Sequence, residues 1–166
     1  MLQDDIYAIY MKLKLYYYRR IFRRMSNLGE DSLTALETLT AEAIYGLGRP
    51  TLTEFAEFIN ISPPNANYRI ASLEKKGYVK KTRSETDGRV SYLEVTDKYL
   101  AYYGSSRKYS QIIARRIERR FPEEDVAKLE EILNVVSEEL MREVNRYLSR
   151  SAHVNEDMLH YEEEDI

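Results

Sequence analysis

The sequence predicts a mainly α-helical fold that carries one small β-hairpin. Apolar residues recur at helical spacing over most of the chain, as in Ile6, Ile9 and Leu13 near its start. Two short segments alternate polar and apolar residues and are separated by an Asp-Gly pair, which is typical of a hairpin turn. Glycines and prolines lie between the helical segments, where helices are expected to begin and end.

Three helices are predicted before Pro63. The first runs from Ile6 to about Met25 and is interrupted by "SNLGED". Ser32 or Asp31 is expected to cap the second, which ends at "GLGRP" because Gly and Pro stop helices. A short third helix, "TEFAEFI", is capped by a threonine and is followed by the turn "NIS". The buried stripe of the second helix is predicted to be Leu33, Leu36, Leu39, Ala43 and Ile44; the cap of the third is Thr51 or Thr53.

The fourth predicted helix begins with two adjacent prolines, Pro63 and Pro64. Proline inside a helix costs about 3 kcal/mol or more, because it lacks an N–H and its ring clashes with the preceding turn. The first N–H groups of a helix have no intrahelical partner, so both prolines are tolerated there. Ser62 is therefore the predicted N-cap, and Gly77 is expected to end the helix. The buried side is predicted to consist of Ile70, Ala71 and Leu73.

The remaining elements are a hairpin and two long helices. The predicted strands are "YVKKTRS" and "RVSYLEVT", with "ETDGR" at the hairpin tip. Thr96 and Asp97 are expected to cap a long helix that is weakened at Gly104, and "FPEED" opens a last amphipathic helix to about Tyr147. Residues 151–166 are acidic and weakly patterned, so we expect a loose tail there.

Charge is distributed unevenly along the chain, whose net charge is -3. Residues 62–121 carry 14 Lys and Arg against 6 Asp and Glu, whereas residues 122–166 carry 4 against 14. A basic block that begins at the proline-led helix is the electrostatic pattern expected of nucleic-acid binding. Solvated helix faces are the alternative explanation.

A short helix, a turn, a proline-led helix and a hairpin form, in this order, a winged helix-turn-helix. The second helix of such a motif places its N-terminal side chains in the major groove, where Asn can bond both N6 and N7 of adenine. An arginine at the hairpin tip can enter the minor groove, and Asp87 is expected to hold the guanidinium of Arg89 in position. Stabilisation of the helix start by Asn65 and Asn67, and an ordinary surface ion pair at the tip, are the alternatives. The predicted DNA-binding residues are Thr51, Thr53, Ser62, Pro63, Pro64, Asn65, Asn67, Tyr68, Arg69, Lys80, Lys81, Arg83, Asp87 and Arg89.

Residues 51–98 resemble the winged helix-turn-helix of MarR-type bacterial transcription regulators, most specifically in "LEKKGYVKK", "DGR" and "LEVTDK". The resemblance implies an obligate homodimer with interlocked terminal helices, whose two recognition helices meet successive major grooves of a pseudo-palindromic operator. Members of this family often bind small aromatic or lipid-like effectors in a cleft between the dimer helices and the winged core. The chain departs from the family at the double proline and at Tyr68-Arg69, so base preference is not transferred.

The terminal helices are expected to mediate dimerisation. Their apolar stripes are longer than the winged core can cover, and a single copy would expose a large apolar patch, which soluble monomers rarely do. An intramolecular bundle is the alternative. The predicted organisation is an N-terminal dimerisation helix (residues 1–30), a winged helix-turn-helix DNA-binding domain (31–98), C-terminal dimerisation helices (99–150) and an acidic flexible tail (151–166).

Fifteen tyrosines and no tryptophan are an unusual aromatic composition. Tyrosine combines an apolar ring with a hydroxyl group, which suits amphipathic ligands, although packing in the dimer interface is the alternative role. The predicted effector-pocket residues are Tyr16, Tyr17, Tyr45 and Tyr102. His153 and His160 are the only two histidines, and because a zinc site usually needs three or four ligands, we expect no metal site.

Several classes of protein are disfavoured by what the sequence lacks. The absence of cysteine excludes disulfides and thiolate metal sites. With no histidine in the predicted core and no glycine-rich phosphate loop, we expect neither enzyme activity nor a cofactor. The N-terminus does not resemble a signal peptide and no apolar run reaches about 18 residues, so a cytoplasmic protein without a membrane partner is expected.

The function predicted from the sequence is therefore a sequence-specific, double-stranded-DNA-binding transcriptional regulator, acting as a homodimeric, ligand-responsive repressor. Two alternatives are an effector-independent architectural DNA-binding dimer and a ligand-binding dimer that has lost DNA recognition.

Overall fold

Eight α-helices, one π-helical turn and one two-stranded sheet form the part of the chain that the structure, a computed structural model, describes. That part comprises residues 1–25, 29, 32–103 and 107–148, with only the backbone of Met25, Tyr102, Tyr103 and Arg107. The helices are α1 Leu2–Met25, α2 Ala35–Leu47, α3 Leu52–Phe58, α4 Pro63–Lys75, α5 Asp97–Tyr103, α6 Arg107–Arg120, α7 Glu123–Val135 and α8 Arg142–Leu148. The strands are β1 Val79–Arg83 and β2 Ser91–Val95. The predicted mainly α-helical fold with a β-hairpin wing is confirmed.

A capping box sets the start of α2. Oγ1 of Thr34 accepts a hydrogen bond from the N–H of Glu37, and Oε2 of Glu37 accepts one from the N–H of Thr34. The prediction that Ser32 or Asp31 caps this helix is wrong, and Asp31 itself lies outside the described residues. The helix starts later because Thr34 and Glu37, three residues apart, satisfy two backbone donors reciprocally.

α4 begins at the two prolines and ends just before Gly77, as predicted. Ser62 is the N-cap with an extended backbone, and Pro63 and Pro64 are the first two helical residues. The N–H of Ala66 donates to the carbonyl of Ser62 at 2.9 Å, which is the first bond of the helix. Gly77 follows the helix with φ 75°, a left-handed conformation that glycine adopts at low cost.

One apolar cluster joins α2, α3, α4, both strands and α5. Its buried members are Leu33, Ala41, Ile44, Leu47, Phe55, Ala56, Ala66, Ile70, Leu73, Tyr78, Val79, Leu93, Val95 and Tyr99. The predicted core is wrong at Leu36, Leu39 and Ala71, which are exposed in the single chain. Ala41 and Ala66 face inward instead, because tertiary packing selects one rotation of a helix whose sequence is apolar on more than one side.

The hairpin is attached to the start of α3. β1 and β2 pair in antiparallel fashion, with Val79 opposite Val95. The N–H of Leu93 donates to the carbonyl of Pro50 at 2.8 Å, and Thr51 forms an isolated bridge with Tyr92. The wing therefore shares backbone hydrogen bonds with the helix-turn-helix and does not depend on side chains alone.

The terminal helices contact the winged core and one another. α1 contacts α2 and α5, and α6 contacts α7. The Tyr16 ring of α1 stacks on Tyr109 of α6 with centroids 3.8 Å apart, and Tyr147 of α8 meets Phe58 of α3 edge-on at 5.2 Å. None of the helices in the described part of the chain combines the length and apolar character needed to span a bilayer.

The last helix is interrupted, so the prediction of one continuous helix to Tyr147 is wrong. A π-helical turn covers Val136–Leu140, and the helix breaks at Met141 before α8 begins. Nδ2 of Asn145 donates to the carbonyls of Ser137 and Glu138, each at 2.9 Å. The Asn145 side chain thus replaces backbone N–H groups as the donor to these carbonyls. Hydrophobic periodicity does not show such competition between side chain and backbone. Gly104 and the predicted tail, residues 151–166, lie outside the described residues.

A carboxylate links α2 to the C-terminal end of α4. Besides capping α2, Glu37 accepts hydrogen bonds from Lys76 Nζ at 2.8 Å and from Ser72 Oγ at 2.6 Å. We call Glu37, Ser72 and Lys76 the Glu37 anchor. Burial acts to raise the pKa of Glu37, but Lys76, Ser72 and the Thr34 donors outweigh it and hold the pKa at about 2. The charged carboxylate, only 14% exposed, is therefore strongly stabilised in the folded chain.

Glu37→Gln should destabilise the fold in a pH-dependent way. A carboxyl group whose pKa falls on folding contributes stability above its ordinary pKa of 4.5, and that contribution is lost as the pH falls towards 2. The substitution should lower the free energy of unfolding by about 2 kcal/mol at neutral pH and flatten the decline of Tm in acid. Denaturant and thermal unfolding measured across this pH range test both effects.

Glu54→Gln is the matched control, because Glu54 completes the same capping box at α3 without the tertiary partners of Glu37. It should cost about 1 kcal/mol or less. Equal losses and equal pH profiles for the two variants would show that the anchor adds nothing to the cap.

Candidate nucleic-acid interface

The N-terminal half of α4 presents polar side chains to solvent. Ala66 and Ile70, one turn apart, face the core, so the residues between and before them lie on the outer side of the helix. Asn65 and Asn67 are exposed, and Tyr68 is 82% exposed. This outer face has the chemistry needed to contact base edges, because amide groups both donate and accept hydrogen bonds.

The two prolines change the electrostatics at the start of α4. A helix ordinarily leaves four N–H groups without intrahelical partners, but Pro63 and Pro64 have no N–H. Ser62 makes no side-chain capping bond, and Asn65 keeps the N–H group at the third helical position. The attraction of this helix end for phosphate is therefore smaller than usual, and its side chains carry more of the recognition.

The hairpin tip is held by a turn around Asp87. Oδ1 of Asp87 accepts the N–H of Arg89 at 2.9 Å, and its carbonyl accepts the N–H of Val90 at the same distance. Oγ of Ser84 accepts the N–H of Asp87 at 3.3 Å. The prediction that Asp87 holds the guanidinium of Arg89 is wrong, since no ion pair joins the two side chains in the described chain. Asp87 fixes the backbone from which the exposed Arg89 side chain departs.

Lys80 is paired within the wing. Its Nζ lies 2.8 Å from Oε2 of Glu94 on the opposite strand, and the guanidinium of Arg49 contacts the other carboxylate oxygen. Arg49 also lies over the Tyr92 ring, 4.7 Å from its centroid. Burial acts to raise the pKa of Glu94, but Lys80 and Arg49 lower it overall. The charge of Lys80 is thus partly compensated before any ligand binds.

The side chain of Lys81, in β1, connects the wing to α4. Its Nζ donates to Oδ1 of Asn67 at 2.7 Å and lies 3.6 Å from Oε2 of Glu74. The Lys81 side chain is 24% exposed, and Asn67 is an exposed residue. Two residues that the sequence predicts to bind DNA, one on β1 and one on α4, are therefore hydrogen-bonded to each other.

The other predicted interface residues differ in solvent exposure and in hydrogen bonding. Arg83 and Thr53 are exposed, and Arg69 is half-buried. The hydroxyl of Thr51 donates to Glu54 and accepts the Glu54 N–H, so it is occupied in the cap of α3. The surface formed by Asn65, Asn67, Tyr68, Arg83 and Arg89 is called the α4–wing surface below.

The winged helix is similar to a known family. Residues 33–91 match the model of the MarR family. The matched segment contains α2, α3, α4 and β1 and reaches the first residue of β2. The resemblance to the MarR family seen in the sequence is thus confirmed over these residues, and proteins of that family are transcription regulators and not enzymes.

Solved structures of regulators share this MarR-family fold. FabT of Streptococcus pneumoniae, in complex with DNA, is 19% identical with a TM-score of 0.51, covering 84% of this chain and 96% of that one. A mutant MepR from a multidrug-resistant S. aureus clinical isolate is 12% identical with a TM-score of 0.58, covering 85% and 98%. Transcriptional regulator Tm0710 from Thermotoga maritima is 18% identical with a TM-score of 0.53, covering 89% and 96%. At these identities the likeness concerns the fold, and no curated protein matches the sequence.

The predicted effector-pocket tyrosines occupy different surroundings. Tyr16 is stacked on Tyr109, and Tyr45 is half-buried against the core. Oη of Tyr17 is buried, with no hydrogen-bond partner among the described residues, and burial raises the Tyr17 pKa. The Tyr102 side chain lies outside the described residues.

A half-buried carboxylate, that of Glu42, lies close to Tyr17. Oε1 of Glu42 on α2 accepts a hydrogen bond of 2.5 Å from Oη of Tyr99 on α5. Burial raises the pKa of Glu42, although Tyr99 and Arg20 act to lower it, and the charge of Glu42 in turn raises the pKa of Tyr17. The cluster of Tyr17, Glu42 and Tyr99 thus lies where the N-terminal helix meets the winged core.

No group of three or more potential metal ligands occurs in the part of the chain that is described. His153 and His160 lie outside it.

Sequence reasoning missed the residues that position the α4–wing surface. The capping role of Glu37 could have been predicted, since Thr34 and Glu37 have the spacing of a capping box. Its partners Ser72 and Lys76 could not have been predicted, because they lie 35 and 39 residues away in the chain. The Arg49–Glu94 contact likewise depends on the register of the hairpin.

Proposed function

We propose that this chain is a sequence-specific, double-stranded-DNA-binding transcriptional regulator that acts in the cytoplasm as a homodimer on a pseudo-palindromic operator. We further propose that it is a ligand-responsive repressor. The observation that supports DNA recognition most directly is the α4–wing surface, where exposed amides on α4 and exposed arginines on the hairpin belong to two elements in contact with each other. This combination supplies base contacts and phosphate contacts from two adjacent elements.

The two parts of the surface have different roles in the proposal. Asn65, at the third position of α4, has no side-chain hydrogen bond within the described chain and can bond N6 and N7 of adenine in the major groove. Arg83 and Arg89 are exposed on the wing and contact phosphates or enter the minor groove. Base contacts set the sequence preference, while arginine contacts supply affinity for any duplex.

A regulator is favoured over an architectural DNA-coating protein by the same surface. A coating protein needs only charge, whereas α4 presents amide groups and a tyrosine at the positions that reach base edges. Protection of about two half-sites in a footprint supports the regulator, and uniform protection of any duplex supports coating.

The proposed homodimer is supported by apolar surface on the terminal helices. Leu2, Ile6, Ile9 and Leu13 form one stripe along α1 and are all exposed in the single chain. Further exposed apolar residues follow in and after α7: Ile132, Leu133, Val135, Leu140, Met141 and Val144. Single chains rarely expose apolar areas of this extent, so residues 1–30 and 99–150 are proposed to pair with a second copy. The dimer would place two copies of α4 about 34–36 Å apart.

An effector is proposed to act where α1 meets the winged core. The buried Tyr17 hydroxyl lacks a hydrogen-bond partner among the described residues, and a buried unsatisfied hydroxyl costs about 1–3 kcal/mol. A small aromatic or lipid-like molecule with a polar head group could bond it while burying its apolar part. Because α1 belongs to the proposed dimer and α2 to the winged core, such binding can change the relative position of the two recognition helices.

Asn65→Ala and Arg89→Ala should impair DNA binding in different ways. Using sites selected from random DNA, Asn65→Ala should reduce discrimination at one base pair of each half-site by about 1–3 kcal/mol. Arg89→Ala should weaken binding to all sequences and reduce the salt slope by about 1. Asn134→Ala and Arg120→Ala, on exposed helix positions elsewhere, are the controls. Equal effects of both test variants on selected and random DNA would contradict the assignment.

Ile9→Glu should dissociate the dimer. Ile9 is 60% exposed in the single chain, so a charge there costs little in a monomer but would be buried in the dimer. Sedimentation should show dimers for the wild type and for Ala8→Glu, which adds the same charge to an exposed position off the stripe. A wild-type protein that sediments only as a monomer would refute the homodimer.

Tyr17→Phe should separate the effector response from DNA binding. The probes are a medium-chain fatty acid and a small aromatic carboxylic acid, tested separately for release of bound DNA. Tyr17→Phe should raise the stability of the free protein by about 1 kcal/mol and weaken the response to the active probe, with DNA affinity unchanged. Tyr7→Phe, at an exposed position of α1, is the control. Failure of both probes to change DNA affinity would contradict this ligand class.

A further inference from the structure

We propose that Lys81 is a positioning residue for base recognition, and that it makes Asn67 a hydrogen-bond donor that prefers guanine. The inference rests on the proposed sequence-specific DNA binding and assigns different bases to the two asparagines of α4. It is carried by the hydrogen bond of 2.7 Å from Lys81 Nζ to Asn67 Oδ1.

The chemistry of the ammonium group fixes the orientation of the Asn67 amide. Lysine has three donors and no acceptor, so the amide atom facing it must be the oxygen. The opposite orientation would bring two donor groups together. Nδ2 therefore lies on the side of the amide away from Lys81, and it has no hydrogen-bond partner among the residues that the structure describes. With Asn67 exposed, this donor group is available to a ligand.

The surroundings of Lys81 hold it in place. Its side chain is 24% exposed, and the Glu74 carboxylate lies 3.6 Å from Nζ, on the same helix as Asn67. Glu74 balances the positive charge, so Lys81 gains less by turning outwards to a phosphate than the exposed Arg83 or Arg89 does. Lys81 thus acts through Asn67 and is not itself a principal DNA contact.

The orientation of the Asn67 amide decides which base it suits. Adenine recognition by asparagine uses both amide atoms, with the oxygen accepting from N6 and the nitrogen donating to N7. Because Oδ1 of Asn67 is turned towards Lys81, the amide presents its Nδ2 donors outwards, and these match a base edge with adjacent acceptors. Guanine has this edge in the major groove, with N7 and O6 side by side. Asn65 lacks such a partner and keeps the adenine pattern.

The test compares base-preference profiles and salt dependence for selected DNA sites. Wild-type protein should prefer guanine at the base pair whose preference is lost in Asn67→Ala. Lys81→Met, which keeps the aliphatic stem, should reduce this guanine preference about fivefold or more and move it towards adenine, because the amide is free to turn. The salt slope should stay unchanged, and Lys81→Arg should restore the guanine preference, since arginine also only donates.

Two further variants make the result specific. Lys80→Met removes the neighbouring lysine, which pairs with Glu94 and not with α4, and it should leave the guanine preference intact. In the Asn67→Ala background, Lys81→Met should have no additional effect on the profile. Thermal unfolding of each variant confirms that it is folded.

The outcomes separate this inference from the proposed function. A wild-type protein without any sequence preference overturns both. Specific binding in which Lys81→Met lowers the salt slope by about 1 and leaves the profile intact overturns the inference alone, because Lys81 would then be a phosphate contact. An adenine preference at the Asn67 position in the wild type overturns it as well.

Discussion

The orientation of α4 depends on the carboxylate of Glu37. This group caps α2 through Thr34. It also accepts hydrogen bonds from Ser72 and Lys76 at the C-terminal end of α4. Because the cap and the tertiary bonds use the same side chain, moving α2 relative to α4 would leave the largely buried charge of Glu37 without its partners. The C-terminal end of α4 is therefore fixed to the core, while its N-terminal half projects polar groups outwards.

The wing is fixed to the same core by a second set of contacts. Backbone bonds join Pro50 to Leu93, and Lys80 and Arg49 share the Glu94 carboxylate. Lys81 then connects the first strand directly to Asn67 on α4. The helix that carries the amides and the hairpin that carries the arginines consequently form one unit. For a protein that binds DNA through both elements, a fixed distance between them means that little ordering remains to be done on binding.

Local signals in the sequence were sufficient for the order of the elements. The two prolines marked the start of α4, Gly77 marked its end, and the Asp-Gly pair marked the hairpin, since each of these residues restricts the backbone in a known way. The exposed asparagines of α4 and the arginines of the wing followed from those elements. Contacts between distant residues could not be predicted, because they arise only when the elements pack. Glu42–Tyr99, 57 residues apart, and Asn67–Lys81, 14 apart, are of this kind. The break before α8 was missed because Asn145 competes for backbone carbonyls, which periodicity does not register.

The lack of cysteine in the chain allows the position of α4 on DNA to be measured directly. A DNA-cleaving iron chelate attached to Ala71→Cys would sit on the exposed outer face of α4, and the same chelate on Lys128→Cys would sit on α7. With α4 in the major groove of each half-site, the Ala71→Cys conjugate should cut at two clusters about 34–36 Å apart, and the Lys128→Cys conjugate should not. Cuts that are spread evenly along the duplex, or that come equally from α7, would contradict recognition of DNA by α4.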